Sequence, residues 1–401
     1  MTAFSPFPKR RRSGGPDALN KVVFVSYGTF DCNSAGHIAG FARELGRAGL
    51  AVAVCAREPV EKAYAFGPPA FEFFGLKDLM ADPAALVGFD GDLDPAATML
   101  IGWTPRKAVR QALSRAAART GAPYIVHFED NEDHLAELRT AEAGAEALQA
   151  DRAERQRLMA GALGATIIEP RLRETLPEGL ASLVMEPGVD LELLAAPLPP
   201  HRRASLLRAL GVPAGAKVIV YPGNIHRANA GEMAELYKAV RQVREEGRDI
   251  VLIKTGKDDV RIADRLGFEP AGMGVIDVGQ VDRPLLIELM KCADLFVQPG
   301  APGPFNDFRL PSKLPEFMAI GRPIILPRTN VGLRLKGDEA LMFDDGSAGE
   351  IAAGIQIALD HPDLAAQLAR NAQAFARRTY VWRRQGGKLL DFLRRLKARP
   401  G

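Results

Sequence analysis

The sequence predicts an α/β protein of two domains, each built on a parallel β-sheet with helices on both faces. Short apolar runs alternate along the chain with apolar residues at helical spacing, and this alternation is typical of βαβ units. The chain has 401 residues, of which 47% are hydrophobic and 25% charged, so it is long enough for two globular cores. The alternation lapses once, over a proline-rich stretch at 190–216, and this lapse indicates a boundary between domains.

The first domain is predicted over residues 21–200, after a loose basic tail at 1–20 that lacks any hydrophobic period. Strands are predicted where short apolar runs occur, and helices where the period lengthens to 3.6 residues, as at 38–45 and 131–162. The predicted strands of this domain cover residues 22–25, 51–56, 98–103, 124–128, 165–169 and 183–185.

The second domain is predicted over residues 201–380, where the alternation restarts without any sequence repeat of the first domain. Its predicted strands cover residues 217–221, 250–254, 275–278, 295–298, 323–326 and 340–343. Its predicted helices cover residues 229–246, 283–292, 312–320, 348–360 and 363–378.

Composition argues against several classes of protein. The 52 basic and 49 acidic residues leave a formal net charge of +3, which does not indicate a nucleic-acid-binding protein. The three cysteines, Cys32, Cys55 and Cys292, lie far apart, so we expect neither a disulfide framework nor a zinc site. No apolar run approaches the roughly 18 residues of a membrane span. These observations predict a cytoplasmic protein.

Basic residues crowd both ends of the chain, at 9–12 and at Arg394, Arg395, Lys397 and Arg399. Such runs either attract anionic lipids or remain solvated tails. Both interpretations stay open, so peripheral contact with the inner face of the membrane is one of two expectations for these ends.

A glycine-containing loop follows the first predicted strand. It runs from Gly28 to Gly36, and His37 opens the next helix. Open α/β sheets bind ligands at the carboxyl ends of their strands, so Gly36 and His37 are candidates to contact a substrate. The loop lacks the GxGxxG pattern, and a merely tight turn is the alternative.

Polar residues cluster at the end of the predicted strand at 124–128. An imidazole donates and accepts hydrogen bonds near neutral pH, so His127 is a candidate to orient or deprotonate a hydroxyl group. Glu129 and Asp130 are candidates to bind sugar hydroxyls. The alternative is that the acidic residues cap the next helix. We favour no metal site at this cluster.

The segment Gln298–Pro323 carries the strongest indication of a ligand, because it combines a glycine- and proline-rich loop with cations and one acid. Pro311 and Ser312 are predicted to begin a helix there. The free N–H groups and positive dipole of a helix start favour a diphosphate.

Three charged residues in that segment extend this interpretation. Arg309 and Lys313 add positive charge, and Glu316 lies about one turn into the predicted helix, where a carboxylate can accept hydrogen bonds from ribose hydroxyls. The residue types therefore suit a nucleoside diphosphate. An amphipathic helix packed on the core is the alternative, and it would need no ligand.

Two further cations stand where predicted strands end in the second domain. Arg227 lies in the loop Gly223–Asn229, and Lys254 ends the following strand. Departure of a nucleoside diphosphate builds negative charge on oxygen, and preorganised cations stabilise that charge. Arg227 and Lys254 are therefore candidate catalytic residues, although surface Arg and Lys residues are common.

The stretch Leu310–Pro323, LPSKLPEFMAIGRP, is similar to the donor-binding loop, helix and strand of the retaining glycosyltransferases called group 1. Supporting marks are Pro187–Asp190 and Arg377–Trp382. The resemblance covers most of residues 21–385. It implies the GT-B fold, in which two Rossmann-like domains face each other, and it implies that a helix at 381–398 crosses back to complete the first domain.

The resemblance also assigns roles around the sugar donor. Glu316 matches the second acid of the family's paired-glutamate motif and would hold the donor ribose. Phe308 stands where the first acid is expected, so contact with the transferred sugar would pass to Asp307 or Asn306. The other donor-binding candidates are Arg309, Pro311, Ser312 and Lys313.

The loop after Gly223 departs from the family pattern. The family usually has an Arg next and a Lys five residues later, whereas this chain has Asn224 and Asn229. Gly223 and Asn224 would still line the donor site. Either another cation, such as Arg227, Lys254 or the Arg309 already named, supplies the missing charge, or the protein binds a nucleotide sugar without transferring it efficiently.

The resemblance thus implies an enzyme of glycan biosynthesis that moves a sugar from a nucleotide-sugar donor, bound by the second domain, to an acceptor hydroxyl, bound by the first. It implies retention of anomeric configuration, with the nucleotide sugar as substrate and no metal or cofactor. The acceptor stays open between a glycan, a lipid-linked sugar, a protein and a small molecule. A non-catalytic nucleotide-sugar-binding or complex-forming protein is the alternative, and a sugar epimerase on the same fold is a third.

Overall fold

The computed structural model of the chain contains two parallel sheets with helices on both faces, as the sequence predicts. All pairings between neighbouring strands are parallel. The residues that the structure describes are 19–30, 32–57, 71–82, 94–140, 144–329, 332, 335 and 337–398.

The first sheet has the strand order β3-β2-β1-β4-β5-β6-β7, which begins with the 3-2-1-4-5-6 order of a Rossmann fold. Its strands are β1 Lys21–Thr29, β2 Ala51–Arg57, β3 Glu72–Gly75, β4 Thr98–Trp103, β5 Tyr124–Phe128, β6 Gly164–Ile167 and β7 Ser182–Val184. The helices of this half are α1 Asn33–Arg47, α2 Leu76–Ala81, α3 Lys107–Thr120, α4 Glu132–Thr140 and α5 Ala145–Ala160. Two helices, α6 Leu191–Ala195 and α7 Pro200–Ala209, lead to the second half.

Strand β1 shows why its sequence is continuously apolar. Val22 and Phe24 face the core on one side of the sheet, and Val23 and Val25 face the core on the other. Side chains alternate between the faces of a strand, so a strand covered on both faces needs apolar residues at every position. The first sheet is therefore the centre of a three-layer domain.

The second sheet repeats the same order, β10-β9-β8 followed by β11-β12-β13, with a parallel bridge between Ile219 and Leu295 joining the two ladders. Its strands are β8 Lys217–Pro222, β9 Ile250–Thr255, β10 Val275–Gly279, β11 Phe296–Val297, β12 Ile324–Pro327 and β13 Leu341–Phe343. The remaining helices are α8 Ala230–Glu245, α9 Ala263–Leu266, α10 Arg283–Lys291, α11 Leu314–Ile320, α12 Ala348–Asp360, α13 Pro362–Thr379 and α14 Trp382–Lys397. The predicted α/β fold class is confirmed.

Helix α14 packs on α1 in the first half of the chain, although it follows the second sheet in sequence. The contact is close because glycines stand opposite bulky groups. A Cβ added at Gly40 or at Gly188 would lie within 2.5 Å of Trp382, and one at Gly386 would lie 2.4 Å from Glu44 Cβ. The indole thus occupies space that only glycines leave open.

The two basic ends are only partly covered by the structure. Residues 9–12 and Arg399 lie outside the described residues. At the end of α14, Arg394 and Arg395 are exposed, while Lys397 donates to the carbonyl oxygens of Pro95 and Thr98 at 3.0 and 3.3 Å. No helix in the described part of the chain is long and apolar enough to cross a membrane. Membrane contact through the basic ends stays a prediction.

We expect Gly40→Ala to destabilise the fold, because the new methyl group would meet the Trp382 ring at 2.1 Å. Overpacking costs typically about 1–3 kcal/mol, which exceeds the roughly 1 kcal/mol that Ala gains over Gly in a helix. Gly387→Ala in α14 is the matched control, because nothing lies within 4 Å of the added Cβ. Urea unfolding should show a lower free energy of unfolding for the first variant and an unchanged or higher value for the second. Equal values would contradict the packing argument.

Candidate functional site

A hydrogen-bonded group lies where strand β5 ends beside the first turns of α1. The Glu129 carboxylate accepts a hydrogen bond from Ser34 Oγ and another from His37 Nδ1 at 2.7 Å. Burial raises the pKa of Glu129, but the hydrogen bond and charge of His37 outweigh it and lower the pKa to about 2. Glu129 is therefore ionised at neutral pH and fixes the orientation of the His37 ring. Gly36 precedes His37 in the same helix.

Asp130 stands next to this group and faces a cation that the sequence did not single out. Arg106 lies 3.5 Å from Asp130 and 3.3 Å from Glu132, with its guanidinium 4.0 Å from the ring centroid of Tyr27. Burial and the neighbouring charge of Glu132 raise the pKa of Asp130 to about 6, against the attraction of Arg106. Arg106 could have been noticed because it follows strand β4 closely, at the same carboxyl edge.

The alternative that acidic residues cap helix α4 holds only in part. Asn131 Oδ1 accepts a hydrogen bond from His134 N at 3.3 Å, which is the role of a capping residue. Glu132 and Asp133 occupy the first turn. Glu129, by contrast, bonds to the side chains of α1.

His127 differs from the prediction that it contacts a substrate. Its ring is only 1% exposed, lies 3.8 Å from the Trp103 ring between centroids, and has Nδ1 2.9 Å from Thr166 Oγ1. Burial lowers the pKa of His127 to about 3, so the imidazole is neutral at neutral pH. Trp103 on β4 and Thr166 on β6 lie against the ring, so His127 is enclosed by its neighbours on the sheet.

In the second half, two asparagines fold the loop after β8. Asn224 Oδ1 accepts a hydrogen bond from Lys257 N at 2.8 Å. Asn229 accepts one from His226 N at 2.8 Å and donates one to the Asn224 carbonyl oxygen at 3.0 Å. These amides therefore shape the loop and bring no charge to it. Arg227 is exposed on the same loop.

Lys313 is the cation that lies against this loop. A Cβ added at Gly223 would stand 3.1 Å from Lys313 Nζ. The same ammonium group donates to Tyr221 Oη at 3.1 Å and lies 4.4 Å from the Tyr221 ring centroid. Among the residues that the structure describes, no carboxylate forms a salt bridge with it. The pKa of His226 on the same loop is lowered by burial first and then by the charges of Arg309 and Lys313, so both cations lie near this loop.

The loop before α11 is tied to helix α8 by a residue that sequence reasoning missed. Glu232 accepts hydrogen bonds from Asn306 Nδ2 and, at 3.3 Å, from Arg309. Asn306 Oδ1 in turn accepts one from Arg309 Nε at 3.0 Å. Asn306 and Pro311 are buried. Asn306 therefore holds the loop together, and no single residue pattern around Glu232 could have indicated this.

Helix α11 begins at Leu314, so Pro311 and Ser312 precede it instead of starting it as predicted. Pro315 sits in the first turn, where its missing N–H has no partner to lose. Glu316 follows in the same turn. Its carboxylate accepts hydrogen bonds from Nη1 and Nη2 of Arg283, the first residue of α10, with Nη1 3.2 Å from Oε2. Glu316 is therefore held by a planar guanidinium that the sequence analysis did not single out.

The surroundings of Lys254 contradict the expectation that it is a catalytic cation. Its side chain is completely buried, and Nζ bonds to Asp258, to the Gly256 carbonyl oxygen at 3.1 Å and to Asp277 at 3.4 Å. A buried ammonium that is already paired cannot meet a ligand without breaking those contacts. Lys254 therefore holds together the loops at the carboxyl end of strand β9.

The loops at the carboxyl edges of the two sheets contact each other. Asn33 Nδ2, in the first turn of α1, donates to Ser312 Oγ at 3.0 Å. Arg171 of the first half lies 3.2 Å from Asp307 of the second. Asp307 is thus engaged with the opposite domain. In the described part of the chain, no group of three or more His, Cys, Asp or Glu residues could hold a metal ion.

Comparison with known proteins finds a matching family model and related sequences. Residues 216–361 match the family model described as "Glycosyl transferases group 1". A D-inositol 3-phosphate glycosyltransferase of Saccharomonospora viridis is 28% identical over 243 residues, which are 57% of this chain and 53% of that protein. The chain therefore spans about half the length of this curated relative.

Solved structures share the fold. A glycosyltransferase from Rickettsia africae has a TM-score of 0.70 at 13% identity and covers 95% of this chain and 100% of its own. Anabaena HepE, in complex with UDP and glucose, has a TM-score of 0.68 at 16% identity and covers 93% of this chain and 99% of its own. At such identities the likeness supports the fold alone, with two Rossmann-like bodies.

We expect His127→Gln to change the pH dependence of stability. The folded chain keeps His127 neutral with a pKa of about 3, whereas the unfolded chain takes up a proton below pH 6.5. Stability from this group is present above pH 6.5 and is lost as the pH falls toward 3, by about 2 kcal/mol at pH 5. Urea unfolding at pH 7 and pH 5 should show a smaller acid loss in the variant. The surface variant His201→Gln should keep the parental loss, and a parental loss in both would disprove the assignment.

Proposed function

We propose that this chain, whose second half belongs to the group 1 glycosyltransferases, transfers a sugar from a nucleotide-sugar donor to an acceptor hydroxyl. The observation that carries the proposal is the position of Lys313. Its ammonium group lies against Gly223, where a strand of the second sheet ends, and has no salt-bridge partner among the described residues. An unneutralised cation at a strand's carboxyl end suits a diphosphate.

On the donor side, Lys313 and Arg309 would bind the diphosphate, and the main chain at Gly223 can approach it because no side chain intervenes. The ribose would bind Glu316, whose carboxylate Arg283 already orients. The Asn224 and Asn229 amides keep the loop in place. Lys313 therefore replaces the charge that the family usually places on that loop. Lys254 has no catalytic role in this proposal.

On the acceptor side, His37 and Glu129 are suited to bind a hydroxyl. With Nδ1 bonded to the Glu129 carboxylate, His37 in its neutral form carries the lone pair on Nε2 and can accept a hydrogen bond there from an acceptor hydroxyl. Asp130 adds a second acceptor of hydrogen bonds. Closure of the cleft would align the hydroxyl with the sugar and exclude water.

We propose that charge on the departing diphosphate is stabilised by Lys313 and Arg309 without a metal ion. The acceptor hydroxyl would attack on the face from which the diphosphate leaves, and a departing phosphate oxygen would take its proton. This sequence of events retains the anomeric configuration.

Binding without transfer is the second candidate. Three departures from the family pattern favour it, namely Asn224, Asn229 and Phe308. A binding protein would be stabilised by a nucleotide sugar yet release no nucleoside diphosphate with any acceptor. An epimerase would convert the sugar of its donor without needing a separate acceptor.

Removal of Lys313 should weaken nucleotide binding. We expect a panel of UDP, GDP and ADP with their glucose conjugates to raise the melting temperature of the parent by several degrees for one base, at about 100 times the dissociation constant. Lys313→Ala and Glu316→Ala should lose roughly ten-fold or more in affinity, since hydrogen bonds to charged groups contribute about 1.5–3 kcal/mol. Lys238→Ala is the control, because Lys238 pairs with Glu235 on the same domain. No shift with any nucleotide would overturn the donor site.

The stereochemical proposal predicts the product. With the accepted nucleotide sugar and a matching acceptor, proton NMR of the first turnovers should show the anomeric coupling constant of the donor configuration. Inverted product would disprove attack from the leaving-group face while leaving glycosyl transfer intact.

A further inference from the structure

Arg171 contacts two consecutive residues of the opposite domain. It lies in a short 3-10 helix, Pro170–Thr175, that follows strand β6. Its Nη1 is 3.2 Å from Asp307 Oδ2, and its guanidinium carbon is 5.0 Å from the ring centroid of Phe308. One planar side chain therefore meets a carboxylate and an aromatic face, both of which suit a guanidinium.

The two contacted residues belong to the loop that carries the donor site. Asn306–Phe308 form a 3-10 turn, and Arg309 follows directly. Asn306 is anchored to Glu232 of α8, and the Asp307 amide donates to the Gly303 carbonyl oxygen at 2.9 Å. A displacement of Asp307 and Phe308 therefore also moves Arg309, which is the next residue in the chain.

Phe308 stands at a position where the family pattern has a different type of residue. The resemblance to group 1 enzymes implies an acid at position 308 that would touch the transferred sugar. In this chain the residue is an aromatic ring that receives Arg171 from the first domain. The Phe308 ring therefore lies at a contact between the two halves, as does the Asn33–Ser312 hydrogen bond.

We infer that Arg171 is a positioning residue that clasps the donor loop to the first domain, so that closing the cleft also sets the loop for the nucleotide sugar. The inference rests on the proposed function for its effect on turnover, but the clasp itself does not. Arg171 is 46% and Asp307 20% exposed, so the ion pair alone shifts an open–closed equilibrium only a few-fold. Together with the aromatic contact, a shift of about ten-fold is expected.

Hydrogen–deuterium exchange of the full chain without nucleotide tests the clasp. We expect amides at 303–310 to exchange about ten-fold faster in Arg171→Gln than in the parent. Arg173→Gln is the matched control, because Arg173 lies on the same 3-10 helix and its side chain donates to Ser182 Oγ of its own domain at 3.3 Å. Parental exchange in Arg171→Gln would overturn the inference.

A charge swap supplies a second readout. Arg171→Glu should speed exchange at 303–310, and adding Asp307→Arg should restore at least part of the protection, which a merely structural role of either residue alone would not do. If the double variant exchanges as fast as Arg171→Glu, the pairing is refuted.

Turnover separates the clasp from the proposed function. With an accepted nucleotide sugar, Arg171→Gln should lower kcat/KM about ten-fold while nucleoside diphosphate still raises the melting temperature. If exchange changes as expected and no nucleotide sugar is turned over by the parent, the clasp stands and the enzyme proposal fails. If exchange changes and turnover stays parental, the coupling of closure to the donor loop is disproved.

Discussion

The parallel direction of both sheets is the constraint on which the site depends. In a parallel sheet every strand ends at the same edge, so the loops that follow the strands emerge together. In this chain Tyr27, Glu129, Gly223 and Arg309 belong to four such loops or strand ends, and they come from distant parts of the sequence. Helix α14 returns to the first sheet and packs on α1 through Gly40 and Trp382. The chain thereby crosses between its halves more than once.

The two edges that face each other both carry acids and cations, but different groups are left to meet a ligand on each. The first contributes carboxylates: Glu129 is ionised, and burial together with the charge of Glu132 raises the pKa of Asp130. The second contributes Lys313 and Arg309, which add to the effect of burial in lowering the pKa of His226. A diphosphate belongs with the cations, and hydroxyl groups are suited to the carboxylates. This difference between the two edges is the physical basis for placing a sugar donor on one side and an acceptor on the other.

The departures from the family pattern are best understood as a redistribution of roles. The side-chain hydrogen bonds of Asn224 and Asn229 hold the loop in place, while Lys313 brings positive charge to Gly223 from another segment. Phe308 receives Arg171 across the cleft. The positive charge that the family usually places on the loop after β8 would thus come from a residue that is near in space and remote in sequence. In our proposal the site therefore retains a cation for the diphosphate and an acid for the ribose.

The sequence by itself determined the fold class and most strands of the two sheets, because periodicity and local residue types are properties of neighbouring positions. It did not indicate strand β3 at Glu72–Gly75. It also singled out the segment around Lys313 and Glu316 as a candidate for binding a ligand. Only the tertiary structure decided which charged residues are available. Lys254 and Lys313 look alike in sequence, yet Asp258 and Asp277 enclose the first, and the second lies on Tyr221. His127 follows the same rule, since Trp103 and Thr166 on the neighbouring strands bury it. Burial, and partners such as Asp277 for Lys254 and Thr166 for His127, depend on the fold, because residues far apart in the sequence become neighbours only in the folded chain.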